Sequence, residues 1–111
     1  MNEGVTAAQA RLAELGAKFL DRTAGDLVSM RQDLGRVAGG DAAAIVDIRH
    51  LAHRMVGTGA TLGFDSLANC ARLIELLTET CPPGVVPDEP LRAQMAEALE
   101  ALAGELQRLR S

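Results

Sequence analysis

Apolar residues recur every three or four positions along almost the whole chain, and this spacing strongly limits the possible folds. Residues three or four apart lie on one face of an α-helix, so each run predicts a helix with one apolar stripe. With only 2% aromatic residues, strands have little to be built from. Five runs are present: Leu12, Leu15 and Phe19; Leu27, Met30, Leu34 and Val37; Ile45, Ile48, Ala52 and Met55; Leu67, Cys70, Ile74 and Leu77; and Leu91, Met95, Leu99, Leu102, Leu106 and Leu109.

Glycine, proline and capping residues divide these stripes into helices. Gly39–Gly40 ends one helix, and another must stop before Pro82–Pro83, because proline lacks the amide hydrogen and clashes with the preceding turn. Gly16 and Gly25 both interrupt the first half of the pattern, and we expect a break near Gly16. The residues placed to cap helix N-termini are Thr6, Asp41, Asp65 or Ser66, and Asp88.

Helices of about 20 residues with short connections pack most economically as antiparallel neighbours. The sequence therefore predicts an all-α fold, an up-down antiparallel four-helix bundle with a short additional N-terminal helix. A chain of 111 residues is too short to divide into two cores, so we expect residues 1–111 to form a single domain. Because a four-helix core closes on itself, the expected state is a monomer.

Composition excludes several classes of partner. A net charge of −4, with two Phe and no Trp or Tyr, argues against nucleic acid, which needs basic surfaces and stacking rings. No uncharged run approaches the roughly 18 residues that cross a bilayer, and the first residues lack an export signal, so we expect no membrane contact and a cytoplasmic location. Cys70 and Cys81 are expected to be reduced thiols, with Cys70 in the core.

The segment 50–63 is the candidate functional site. It holds both histidines and several glycines inside a predicted helix, where each glycine costs on the order of 1 kcal/mol relative to alanine. Gly57 stands four residues after His53, where a larger side chain would lie over the imidazole. His53 is about 100° round the helix from Ala52 of the apolar stripe, so its ring is predicted at the edge of the buried face with its tip open.

Cations flank this histidine. Arg49 precedes His53 by one turn and Arg54 follows it, so an anion carried on the ring would meet positive charge. A neutral imidazole has a free nitrogen lone pair and is a plausible nucleophile. His50, three residues earlier, has the spacing to share a metal ion, but no third ligand is evident. We therefore expect no metal site and place His50 on the surface or behind the reacting ring.

The helix pattern and the glycine spacing combine in one motif. Its residues run Ala52-His53-x-Met55-x-Gly57-Thr58-Gly59-Ala60-x-x-Gly63, followed by Leu67 and Cys70-x-x-Leu73. This motif resembles the signature of histidine-containing phosphotransfer (HPt) domains of two-component phosphorelays. The resemblance implies signal transduction in which His53 of this phosphoprotein accepts a phosphoryl group from a receiver-domain aspartyl phosphate and passes it to another response regulator.

The resemblance also implies the partners, which are response-regulator receiver domains and a hybrid or other histidine kinase. No cofactor is expected on this chain, since Mg²⁺ and its acidic pocket would come from the receiver. The chain has no Gly-rich loop followed by Lys-Ser/Thr for a nucleotide, so it is expected to carry phosphate without ATP-dependent kinase activity of its own. Nε2 is the expected phosphorylation site, because Nδ1 is closer to the backbone.

Two positions depart from the family pattern. Val56 stands where the family usually has Lys, so Arg54 or Arg49 replaces that charge, or the position is adapted to a partner, or phosphotransfer is weakened or lost. The last case defines an alternative function, a non-phosphorylated HPt-like module that binds or sequesters receivers or a kinase. Ile74 stands where the family often has Glu, although Glu75 follows immediately.

Six residues around His53 are expected to support the phosphate or contact the partner. Thr58 either bonds back to the carbonyl of residue 54 or approaches the phosphate, and the sequence leaves both open. The six are Arg49, His50, Arg54, Val56, Gly57 and Thr58.

Overall fold

A computed structural model describes residues 3–111, and within that range the chain forms four α-helices and no strand. The helices are α1 (Glu3–Ala38), α2 (Ala44–Thr61), α3 (Asp65–Glu79) and α4 (Glu89–Arg110). Each helix packs against its neighbours in sequence, and α1 also packs against α4, so the four close into a bundle. The prediction of an all-α four-helix bundle is confirmed.

Ion pairs between helices establish the antiparallel arrangement. Along the α1–α4 interface, Arg31 pairs with Glu100 at 2.8 Å, and Asp21 pairs with Arg110 at 3.1 Å. Residue numbers fall on α1 as they rise on α4, so the two helices run in opposite directions. The connections of the bundle are short, apart from residues 80–88 between α3 and α4.

The predicted stripes supply most of the core. Leu12 and Leu15, in the N-terminal half of α1, are exceptions because they are exposed. Cys70 is half-buried rather than in the core, and Cys81 is the buried thiol. None of the described helices is long and apolar enough to cross a membrane. The buried stripe members are Phe19, Leu27, Met30, Val37, Ile45, Ile48, Ala52, Met55, Leu67, Ile74, Met95, Leu99, Leu102 and Leu106.

The predicted short N-terminal helix with a break near Gly16 is wrong, because α1 runs without interruption through Gly16 and Gly25. Its 36 residues span about 54 Å, close to the 56 Å longest dimension of the described chain. Gly16 is a packing residue, since a Cβ there would lie 3.3 Å from Cζ of Phe64. The stripe of α1 is buried after Gly16 and on both sides of Gly25, at Phe19, Leu27 and Met30, and this burial offsets the low helix propensity of glycine.

The C-terminal ends of the helices agree with the predicted stops, whereas most of the predicted N-terminal caps do not. Gly40 has φ +104° after α1, and α3 ends at residue 79, before the two prolines. Asp88 caps α4 by accepting a hydrogen bond from the Leu91 amide at 3.0 Å. The other predicted caps are wrong. Helix α1 begins before Thr6, and Asp65 and Ser66 lie inside α3. The N-cap of α2 is Ala43, and the Asp41 side chain accepts a hydrogen bond from the Ala43 amide.

The continuity of α1 predicts that Gly25→Ala stabilises the protein. A Cβ at Gly25 meets no atom within 4 Å among the described residues, so the variant gains the higher helix propensity of alanine, about 0.5–1 kcal/mol. Urea unfolding followed by far-UV circular dichroism measures this gain. Gly16→Ala is the matched control and should gain less, because its Cβ approaches Phe64. A lower stability of Gly25→Ala would contradict a continuous helix.

Candidate functional site

His53 lies on the solvent side of α2, and its side chain is 76% exposed. The residue before it, Ala52, is fully buried, so the ring stands at the edge of the buried face as predicted. Gly57, one turn later, is exposed, and a Cβ there would meet no atom within 4 Å in the described chain. This turn therefore leaves open space beside the imidazole.

A buried carboxylate holds the inner edge of the ring. Oε2 of Glu75 on α3 lies 2.5 Å from Nδ1 of His53, and Oε1 of the same group accepts a hydrogen bond from Nη1 of Arg72 at 2.7 Å. The Glu75 side chain is only 6% exposed. Burial of an ionised carboxylate costs several kcal/mol unless partners compensate it, and here each oxygen has one partner.

The charge of Glu75 decides which ring nitrogen of His53 carries the proton. Burial by itself raises the pKa of this carboxyl, but the hydrogen bonds of His53 and Arg72 outweigh it and hold the pKa below its ordinary value of 4.5. An ionised carboxylate only accepts hydrogen bonds, so Nδ1 of His53 must be the nitrogen that carries the proton. Nε2 then has the free lone pair, as required of a nucleophile.

The two flanking arginines both have partners away from the ring. Arg49 reaches α3, where it donates to the carbonyl oxygen of Thr78 at 2.9 Å and to its hydroxyl at 3.3 Å. Arg54 turns to α1 and pairs with Asp26 at 3.3 Å. His50 is exposed on the surface of α2. The supporting role of these three residues stays a prediction.

Val56 and Thr58 lie on opposite sides of the exposed face of α2. Val56 is half-buried and packs against the core, and its apolar side chain adds no charge to the site. Thr58 lines a groove of about 400 Å³ between α1 and α2, together with Phe19, Arg22 and Gly57. No hydrogen bond from Thr58 to the carbonyl of residue 54 is found within residues 3–111, and an approach of Thr58 to the phosphate stays a prediction.

Two residues of this site were not predicted from the sequence to contact His53: Arg72 was not singled out, and Glu75 was noted only as the residue after Ile74. A signal for Glu75 was present, because it stands four residues after Ala71 and beside Ile74, on the buried stripe of α3. An acid at a core position of a helix requires a partner. The identity of that partner depends on how α2 and α3 align. Among the described residues, no three His, Cys, Asp or Glu side chains are grouped as a metal site requires.

Comparison with known proteins gives one match. The sequence model of the family described as "Hpt domain" matches residues 14–111. No curated protein and no solved structure matches the chain. The matched region contains α2, α3 and α4 in full and α1 from residue 14 onward.

The contacts of Glu75 predict how stability depends on pH. Its pKa is lower in the folded than in the unfolded protein, so its contribution is fully present above about pH 4.5 and is lost as the pH falls toward the lowered pKa. Between about pH 5 and pH 3, the free energy of unfolding should fall more steeply for the wild type than for Glu75→Gln.

Urea unfolding at a series of pH values measures both curves. Other carboxylates with lowered pKa cancel in the comparison, among them Glu105, whose pKa is held at about 2 by Arg108 and Ser66. Parallel curves for the two proteins would contradict the paired, ionised state of Glu75.

Proposed function

This chain belongs to the Hpt domain family, whose members act in histidine phosphotransfer in phosphorelays, and we propose on that basis that His53 carries the phosphoryl group. In this proposal His53 receives the group from an aspartyl phosphate of a receiver domain and passes it to another response regulator. The observation that carries the proposal is an exposed imidazole whose Nδ1 is held by a buried carboxylate, which leaves Nε2 free.

The transfer requires only one bond to form and one to break. The lone pair of Nε2 attacks phosphorus, the N–P bond forms, and the P–O bond to the receiver aspartate breaks with its electron pair left on that carboxylate. The imidazole keeps its Nδ1 proton and becomes positively charged. Glu75 faces this proton and stabilises the charge that develops, since a fixed, partly desolvated anion interacts strongly with it. In the second transfer, an aspartate of another receiver attacks the phosphorus, and the N–P bond to His53 breaks.

The partner supplies the rest of the chemistry. Phosphoryl transfer depends on positioning and on compensation of the charge of the moving group, and one histidine on a helix provides only part of this. The acidic pocket and Mg²⁺ belong to the receiver in this proposal, and the kinase that feeds the relay is a hybrid or other histidine kinase. The chain itself is a carrier in the cytoplasm that binds receivers as a monomer.

A binding module without phosphotransfer is the second candidate, and Val56 is the observation that favours it. Its half-buried side chain provides no positive charge where the family usually has Lys. Such a module would bind receivers or a kinase through the same face of α2 and α3 but would take up no phosphate.

His53→Gln should abolish uptake of phosphate from phosphorylated receivers. Glutamine keeps much of the size and polarity of the side chain but has no nucleophilic ring nitrogen. Incubation with a panel of phosphorylated receivers, followed by a test for base-stable, acid-labile label, measures the uptake.

His50→Gln is the matched control for which histidine is labelled. It removes the other histidine, so label should still form on His53, at a rate that tests the supporting role expected of His50. Far-UV circular dichroism should give equal helical signals for both variants. Equal labelling of His53→Gln would refute the proposal. Receiver binding without label on the wild type would favour the binding module.

Gly57→Ala should slow transfer from receivers although it stabilises the fold. The added methyl meets no atom within 4 Å in the described chain, so we expect a gain of about 0.5–1 kcal/mol from helix propensity. The same methyl occupies the open space beside His53 where a partner must approach. Stopped-flow or quench measurements of transfer, with urea unfolding in parallel, check both effects.

Gly104→Ala on α4 is the matched control, because a Cβ there also has open space within residues 3–111. It should give a similar gain in stability with an unchanged transfer rate. If Gly57→Ala transfers phosphate at the wild-type rate, the absence of a side chain at Gly57 is not needed for the partner to approach His53.

A further inference from the structure

A phosphoryl group on His53 creates a charge problem at this site. Phosphorylation adds up to about −2 charge beside a ring that already contacts the ionised Glu75. The cations of α2 are engaged elsewhere, because Arg49 bonds to Thr78 and Arg54 pairs with Asp26. Val56 contributes none. While Arg49 and Arg54 keep these contacts, a compensating charge has to come from another helix or from the partner.

Arg72 of α3 is the cation joined most directly to the ring. His53 and Arg72 bind the two oxygens of one carboxylate, at 2.5 and 2.7 Å, so a single carboxylate links the imidazole to the guanidinium. The Arg72 side chain is 54% exposed. A guanidinium has five N–H donors, and Glu75 is the one acceptor found for Arg72 in the described chain.

We propose that Arg72 binds the phosphoryl group carried by His53. The inference rests on the proposed function and names the residue of this chain that takes the place of the family lysine, absent at Val56. One nitrogen of Arg72 stays on Glu75, while the remaining donors turn to the phosphoryl oxygens. The planar guanidinium suits this task, because its donors match two oxygens of one phosphate.

A purely structural role for Arg72 makes a different prediction. In that case Arg72 acts only through Glu75, by keeping the carboxylate ionised and in place. Removal of Glu75 would then remove every effect of Arg72 on the phosphorylated ring. If Arg72 instead contacts the phosphoryl group, its effect persists without Glu75.

The test uses chemically phosphorylated protein and needs no receiver. In a His50→Gln background, where His53 is the only histidine, phosphoramidate transfers its phosphoryl group to Nε2 and releases ammonia. A pH titration followed by ³¹P NMR then gives the midpoint at which the phosphoryl group on His53 gains a proton. A nearby cation favours the more negative form, so Arg72→Gln should raise this midpoint by about 0.5 pH unit.

Three further variants complete the test. Arg72→Lys should restore most of the wild-type midpoint, and Arg31→Gln, which removes an exposed arginine of another ion pair on the α1–α4 face, should leave it unchanged. In a Glu75→Ala background, Arg72→Gln should still raise the midpoint. An unchanged midpoint in Arg72→Gln, or an effect that vanishes without Glu75, overturns the inference. Failure of receivers to label His53 instead overturns the proposed function and leaves these midpoints as they are.

Discussion

The contact between His53 and the buried carboxylate of Glu75 is the interaction on which the site depends. It joins α2 to α3, fixes the proton on Nδ1 and leaves Nε2 toward solvent. Keeping a carboxylate ionised is costly when only 6% of its side chain is exposed. Glu75 remains ionised because an imidazole and a guanidinium each form a hydrogen bond with one of its oxygens. The same contact therefore joins a helix pair and leaves Nε2 with the free lone pair that the proposed phosphotransfer requires.

Further hydrogen bonds between α2 and α3 lie next to this contact. Arg49 extends from α2 to the last turn of α3 and bonds to the carbonyl and the hydroxyl of Thr78, one turn after Glu75. The hydroxyl of Thr78 in turn donates to the Glu75 carbonyl at 2.6 Å. Packed helices position functional groups more accurately than loops do, and the proposed in-line transfer to His53 requires such positioning.

The site divides into residues that the sequence identified and residues that it did not. His53 and Gly57 were identified because their relation is local, four positions apart on one helix. Glu75 and Arg72 were missed because their relation to His53 crosses from α3 to α2. Arg49 and Arg54 were near His53 along the chain, yet their side chains bond to Thr78 and Asp26, because helices α3 and α1 offer acceptors there.

The sequence by itself determined the helices, their apolar stripes and the stops at Gly39–Gly40 and Pro82–Pro83, since each is a property of a few adjacent residues. Tertiary structure decided that α1 continues through Gly16, where the missing side chain makes room for Phe64. It also decided which side chains meet across α2 and α3. Such contacts depend on the relative alignment of packed helices, and a periodic stripe fixes the face that a helix buries without fixing its position along its neighbour.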